Sequence, residues 1–256
     1  MTTKQIVESF LNPRIRLDPR IWEVLPEHFG PVSPADQSTT VESLKLRNLA
    51  KIAPLLRTFD NNLPEVYVIY KTVRDDCQTM SQSLSTLTDS PTETSFNITR
   101  FLQVRFQSAF GTLLHVAMIL NAALRAEGIT NASLRTDLAF FIDEANVLGK
   151  ESSKYRPLGS CSIPLCLIAA WAVTDDDQIR ESLEQMLSDW QMDFGSARWM
   201  DMAIWWKTKM TEPKWIQNLQ PWLSSFSKSS SNFPVKSFTN SSGLQVSWFH
   251  SLLKIT

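Results

Sequence analysis

The stretch Tyr155–Asp177, YRPLGSCSIPLCLIAAWAVTDDD, decides the fold. Two prolines and a glycine stand directly before its most apolar run. Pro157 cannot continue a preceding helix, and it pushes Arg156 toward extended backbone. Gly159 permits a tight turn. Ser162 suits an N-cap and Pro164 an early helical position, where a missing N–H costs little. The punctuation therefore stops one helix and starts another through PLCLIAAWAV. That helix carries no charge, so it is expected deep in a core. TDDD ends it and opens the next, with Thr174 or Asp175 as N-cap and the acids at the positive helix end.

The neighbouring segments read the same way. Asn97 to Glu127 is the longest apolar-periodic run, holds no proline and stops at Gly128. Its second half is apolar nearly all round, which predicts a central buried helix. A further helix follows Asn131 and Ser133, both candidate caps, through LRTDLAFFIDEANVLGKESSKY. DQIRESLEQMLSDW and SARWMDMAIWWKTKM continue the pattern after Asp177. Upstream, Thr40 is a candidate N-cap for a helix with Val41, Leu44, Leu46, Leu49, Ile52, Leu55 and Leu56 on one stripe, which Pro54 kinks or ends. From Leu63, a β-branched and aromatic start leaves a strand open. Val66, Ile69, Val73, Cys77, Met80, Leu84 and Leu87 follow helical spacing and decide for a helix.

The prediction is an all-α fold, a single multi-helix domain around a central buried apolar helix. Residues 1–35 read as short helices broken by prolines, 36–223 as the helical domain, and 224–256 as a Ser-rich tail with a terminal helix that can dock back. Seven glycines in 256 residues disfavour turn-rich β folds and phosphate-cradling loops.

The formal net charge of −1 lacks the basic excess of a free-standing nucleic-acid binder. Cys77, Cys161 and Cys166 form neither a disulfide framework nor a zinc spacing, and read as buried thiols. The N-terminus has charges and prolines where a signal peptide needs an apolar core. No run reaches the roughly eighteen apolar residues of a membrane span. The sequons at Asn97, Asn131 and Asn240 are then chance matches. A nuclear or cytoplasmic protein, not secreted and not in a membrane, is expected.

The chain contains no GxGxxG, GxxxxGKS/T, HExxH, GxSxG or CxxC motif. No metal and no cofactor are expected. The histidines His28, His115 and His250 are far apart. His115 alone lies in a strongly apolar helix, as a base or ligand contact or as a core histidine bonded to a backbone carbonyl. Asp143/Glu144 and Asp175/Asp176/Asp177 invite a metal-diphosphate reading, as in helical terpene cyclases, but capping explains the second group. Arg100 and Arg105 can recognise an acidic ligand or pair with acids on a neighbouring helix. Eight of the nine tryptophans lie at or beyond Trp171, as a subcore or a binding surface.

RFQSAFGTLLHVAMILNAALRA, the opening stretch with its continuation to RWM, and AIWWKTKM together resemble the helical fungal-specific regulatory domain of zinc-cluster transcription factors. The likeness covers roughly residues 97–210 well and 36–96 loosely. Family members carry six cysteines holding two zinc ions beside a basic stretch, and here neither is present. The resemblance therefore implies a helical fold and a regulatory role without direct DNA binding. The setting it implies is a secondary-metabolite gene cluster, with a protein partner or a small-molecule ligand. The alternative is a cyclase-type enzyme or small-molecule binder of secondary metabolism, using an apolar helical cavity into which His115, Arg105 or Trp171 points. Pro157, Gly159, Pro164 and Asp175 are assigned structural roles.

Overall fold

The computed structural model describes residues 41–88, 96–129, 131–156, 162–193 and 198–211. The expected proline-broken helices before residue 36, Thr40, the turn at Pro157 and Gly159, and the Ser-rich tail lie outside these residues. The described chain divides into two compact units between Leu63 and Pro64.

The first unit opens with a 3₁₀ turn, Glu42–Leu44, followed by α1, Leu46–Arg57. Lys45 pairs with Glu42, and Asn48 Nδ2 donates to the Glu42 carbonyl at 2.8 Å. Leu49, Ile52, Ala53 and Leu56 form the buried stripe of α1. Pro54 neither kinks this helix apart nor stops it at once, since α1 runs three residues further, to Arg57. Thr58 closes it, its N–H and Oγ1 both donating to the Pro54 carbonyl.

Helix α2, Phe59–Thr88, is broken at Asn62, where φ −122° and ψ 16° leave helical geometry. Pro64 then sits in the first turn of the resumed helix, where it forfeits no hydrogen bond. The strand alternative for VYVIY is not taken. Val66, Tyr70, Val73, Cys77 and Met80 are buried, at alternating spacings of four and three, and the other faces are exposed or half-exposed.

The second unit, from Pro64 on, is built on α3, Phe96–Ala126, α4, Ala132–Ser153, α5, Ile163–Val173, α6, Asp177–Asp193, and α7, Trp199–Thr211. The described residues form no strand, and the all-α expectation holds. Helix α3 is buried on every side from Phe110 to Asn121. It ends at Gly128, whose φ of +78° only glycine adopts without cost. The Ile129 N–H reaches the Leu124 carbonyl and the Gly128 N–H the Arg125 carbonyl, the paired bonds of a Schellman stop. Asn131 caps α4 by accepting from the Ser133 N–H at 3.0 Å.

Helix α5 packs against α3, α4, α6 and α7. Nine of its eleven residues are buried, so it shares the centre with α3. The approach of α4 and α6 to α5 is close at Gly149, where a Cβ would lie 2.8 Å from both Leu167 Cδ2 and Met186 Sδ.

Gln103–Ala126 is, by length and composition, apolar enough to cross a membrane, which corrects the sequence expectation that no run is. Of its most apolar eighteen-residue stretch 72% is buried in the fold, and Gln107, Ser108, Thr112, His115 and Asn121 of the helix are buried too. A helix packed on all sides by other helices satisfies the same apolar test as one packed by lipid.

Candidate functional site

His115, Arg105 and Trp171, each a candidate pocket contact, sit in separate surroundings. His115 lies on α3 and is 1% exposed. Its Nδ1 is 2.9 Å from the Leu165 carbonyl on α5, which makes Nδ1 the protonated nitrogen. Its ring meets Trp206 of α7 edge to face at 6.1 Å. Nε2 is buried without a hydrogen-bond partner. Burial pulls the imidazole down to about 4, with the carbonyl bond opposing it, so the ring is neutral at physiological pH. This is the core-histidine arrangement.

Trp171, on α5, donates from Nε1 to Glu184 Oε1 of α6 at 2.9 Å. Lys207 of α7 lies over its ring at 5.3 Å. His115 and Trp171 thus both face α7, at consecutive residues Trp206 and Lys207. Arg105 is half-exposed, and burial holds its guanidinium below its ordinary value. It lies ten residues before His115, about 15 Å along the same helix, and belongs to a different neighbourhood.

The acidic groups are accounted for locally. Asp176, and not Thr174 or Asp175, caps α6: its Oδ1 accepts from the Gln178 and Ile179 N–H groups at 2.8 and 3.0 Å. Thr174 Oγ1 accepts from the Asp176 N–H instead, because α5 runs to Val173 and Thr174 closes it. Asp175 is exposed, and Asp177 pairs with Arg180 at 2.5 Å. Asp143 is exposed, whereas Glu144 is half-buried, hydrogen-bonded to Ser81 and pushed up mainly by burial. Among the described residues no three His, Cys, Asp or Glu side chains are grouped to hold a metal ion.

Pro164 falls in the first turn of α5, as expected. Ser162 occupies the cap position, but its hydroxyl makes no cap bond. It donates across to the Ser108 carbonyl of α3 at 2.8 Å. Burial pushes the Cys77 and Cys166 thiols well up, so neither is a ready nucleophile.

Two polar junctions were not anticipated from the sequence. Tyr70 of α2 donates to Asp137 Oδ2 of α4 at 2.8 Å, and Asn121 of α3 donates to the Tyr70 hydroxyl at 2.9 Å. The second Asn121 N–H reaches the Leu134 carbonyl at 2.8 Å. The signal was an Asn inside an apolar helix, which has to find partners. At the other junction Arg156 donates from Nε to Asp193 at 2.6 Å, also bonds the Asp189 carbonyl, and lies over the Trp190 ring at 5.2 Å. It ties the end of α4 to the end of α6.

Between α6 and α7 an open groove of about 390 Å³ is lined by Leu187, Ser188, Gln191, Arg198, Met200 and Asp201. None of His115, Arg105 and Trp171 reaches it. No family model, curated protein or solved structure matches the chain.

Proposed function

We propose that the chain is a transcription-regulator-like protein whose described helices are not themselves the DNA-contacting part. It acts in the nucleus or cytoplasm through a protein partner or a small-molecule ligand, on the expression of a secondary-metabolite gene cluster. The observation that supports this reading is the placement of the residues that carry the family resemblance. Arg156 joins α4 to α6. Ala169, Ala170 and Trp171 belong to the buried face of α5, and Trp206 of α7 closes over His115. These residues join helices and carry no chemistry of their own, so the proposed role rests on analogy alone. A formal net charge of −1 suits a regulator that does not hold phosphates itself.

A second reading, a small-molecule binder of secondary metabolism, would use the open α6/α7 groove, with Arg198, Asp201, Ser188 and Gln191 in its lining. Its volume of about 390 Å³ falls within the range of ligand sites.

The test joins the full chain to an unrelated DNA-binding domain upstream of a reporter. A several-fold change in reporter output supports the regulatory reading. An unchanged output, with a small molecule of defined mass retained in native mass spectrometry, moves the assignment to the second reading.

A further inference from the structure

The apolar seam of α2 does not by itself specify one register. Beyond the break at Asn62 its buried residues are Val66, Tyr70, Val73, Cys77 and Met80. Seven residues further along stand Val73, Cys77, Met80, Leu84 and Leu87. Sliding α2 by one heptad would therefore keep an apolar side chain at all five places. The hydrophobic effect is non-directional and distinguishes the two arrangements only by fit. The opposite slide would draw the break at Asn62 and Pro64 into the seam.

The two registers differ chemically at two places, since the shift puts Cys77 where Tyr70 stands and Ser81 where Arg74 faces Asp137. Tyr70 is 1% exposed, and its hydroxyl donates to Asp137 at 2.8 Å and accepts from Asn121 at 2.9 Å. Asn121, fully buried, spans from that hydroxyl to the first turn of α4 at the Leu134 carbonyl. Arg74, one turn on from Tyr70, comes within 3.9 Å of the same Asp137 carboxylate. Losing the hydroxyl would leave an amide N–H and a carboxylate oxygen in a buried junction without their partner, a penalty for the wrong register only. A single buried polar contact in an otherwise apolar seam is the best-attested means of setting register.

We infer that the Tyr70–Asn121–Asp137 junction is a register lock, which places α2 on the α3/α4 pair where the apolar seam alone would accept two positions. Tyr70 is a positioning residue in this role.

The experiment measures the distance between nitroxides attached through ketone-bearing residues at two exposed sites, Val68 on α2 and Arg135 on α4. This chemistry leaves the cysteines untouched. The full-length protein is expected to show one distance. Tyr70→Phe should add a second population, displaced by up to about 10 Å, the rise of seven helical residues. Tyr70→Leu combined with Cys77→Tyr moves the hydroxyl one heptad along and should leave the displaced distance alone. A single unchanged distance in Tyr70→Phe overturns the lock, and that variant decides the matter even if the relocated one does not fold. A tyrosine that merely stabilised the fold would lower the unfolding midpoint and leave the distance where it is.

Discussion

Helices α5 and α2 solve the packing problem in opposite ways. Helix α5 has eleven residues, no charge and nine buried positions. Helix α2 has thirty residues and buries one stripe. The short helix touches four neighbours, because apolar side chains around its whole circumference can be removed from water only by surrounding it. The long one needs a single face covered. Position in a core therefore follows from how much of a helix's circumference is apolar, and length contributes little to it. The two also differ in what sets their placement. Helix α5 is placed by shape, as where it meets Gly149, and α2 by a polar junction.

The largest test of this contrast is removal of an anchor on α7, one of the helices that surround α5. Trp206→Ala, at a side chain 1% exposed, should cost about 3–5 kcal/mol in denaturant unfolding. A loss below that of Tyr70→Phe would break the comparison.

The second test is pH. His115 is neutral in the fold, pulled down to about 4, and titrates near 6.5 when unfolded. Above 6.5 both states hold it neutral, and the stability is fully present. As pH falls from 6.5 toward 4 the unfolded state takes the proton first, so stability declines, and below about 4 this contribution is flat. The full span is about 3 kcal/mol. His115→Gln, which keeps a donor for Leu165, should lose stability at neutral pH but flatten the profile across that window. A variant profile parallel to the wild type would show that other groups carry the acid sensitivity.

Tyr70→Phe should cost about 1–2 kcal/mol, since Asn121 and Asp137 lose a buried partner while the ring stays. A neutral result would show that water replaces the hydroxyl and that α2 rests on its apolar stripe alone. The smallest effect is at the α5/α6 corner. Asp176→Ala removes the cap of α6 and should cost about 1 kcal/mol, whereas Asp175→Ala should be nearly silent. Equal costs at the two positions would contradict the cap geometry.

Much of this fold was legible in residue order. The helix starts at Asn131 and Pro164 and the stop at Gly128 rest on interactions within a few residues of the chain, and they appear where the sequence places them. The cap of α6 moved by one or two residues, from Thr174 or Asp175 to Asp176. A run of Thr and three Asp offers equivalent acceptors, and the exact end of α5 selects among them. Thr174 is drawn into closing α5, which passes the cap to Asp176. The candidate site was less legible. His115, Arg105 and Trp171 are each plausible ligand contacts by residue type, yet the fold gives His115 a carbonyl of α5 and Trp171 a carboxylate of α6. Tyr70 fits the apolar stripe of α2 and Asn121 interrupts that of α3, but neither residue names its partner, because their bond joins residues 51 apart.

The sequence by itself determined the class of structure, the helical segments and their ends, and the burial of the uncharged helix. These follow from periodicity, capping and transfer free energy, which act along one stretch of chain. Only the tertiary structure decided which helix touches the most others, which polar side chains meet in the core, and that His115 is neutral. Each of those depends on distances between residues far apart in the chain, and the strength of a hydrogen bond or a desolvation cost is set by that three-dimensional neighbourhood.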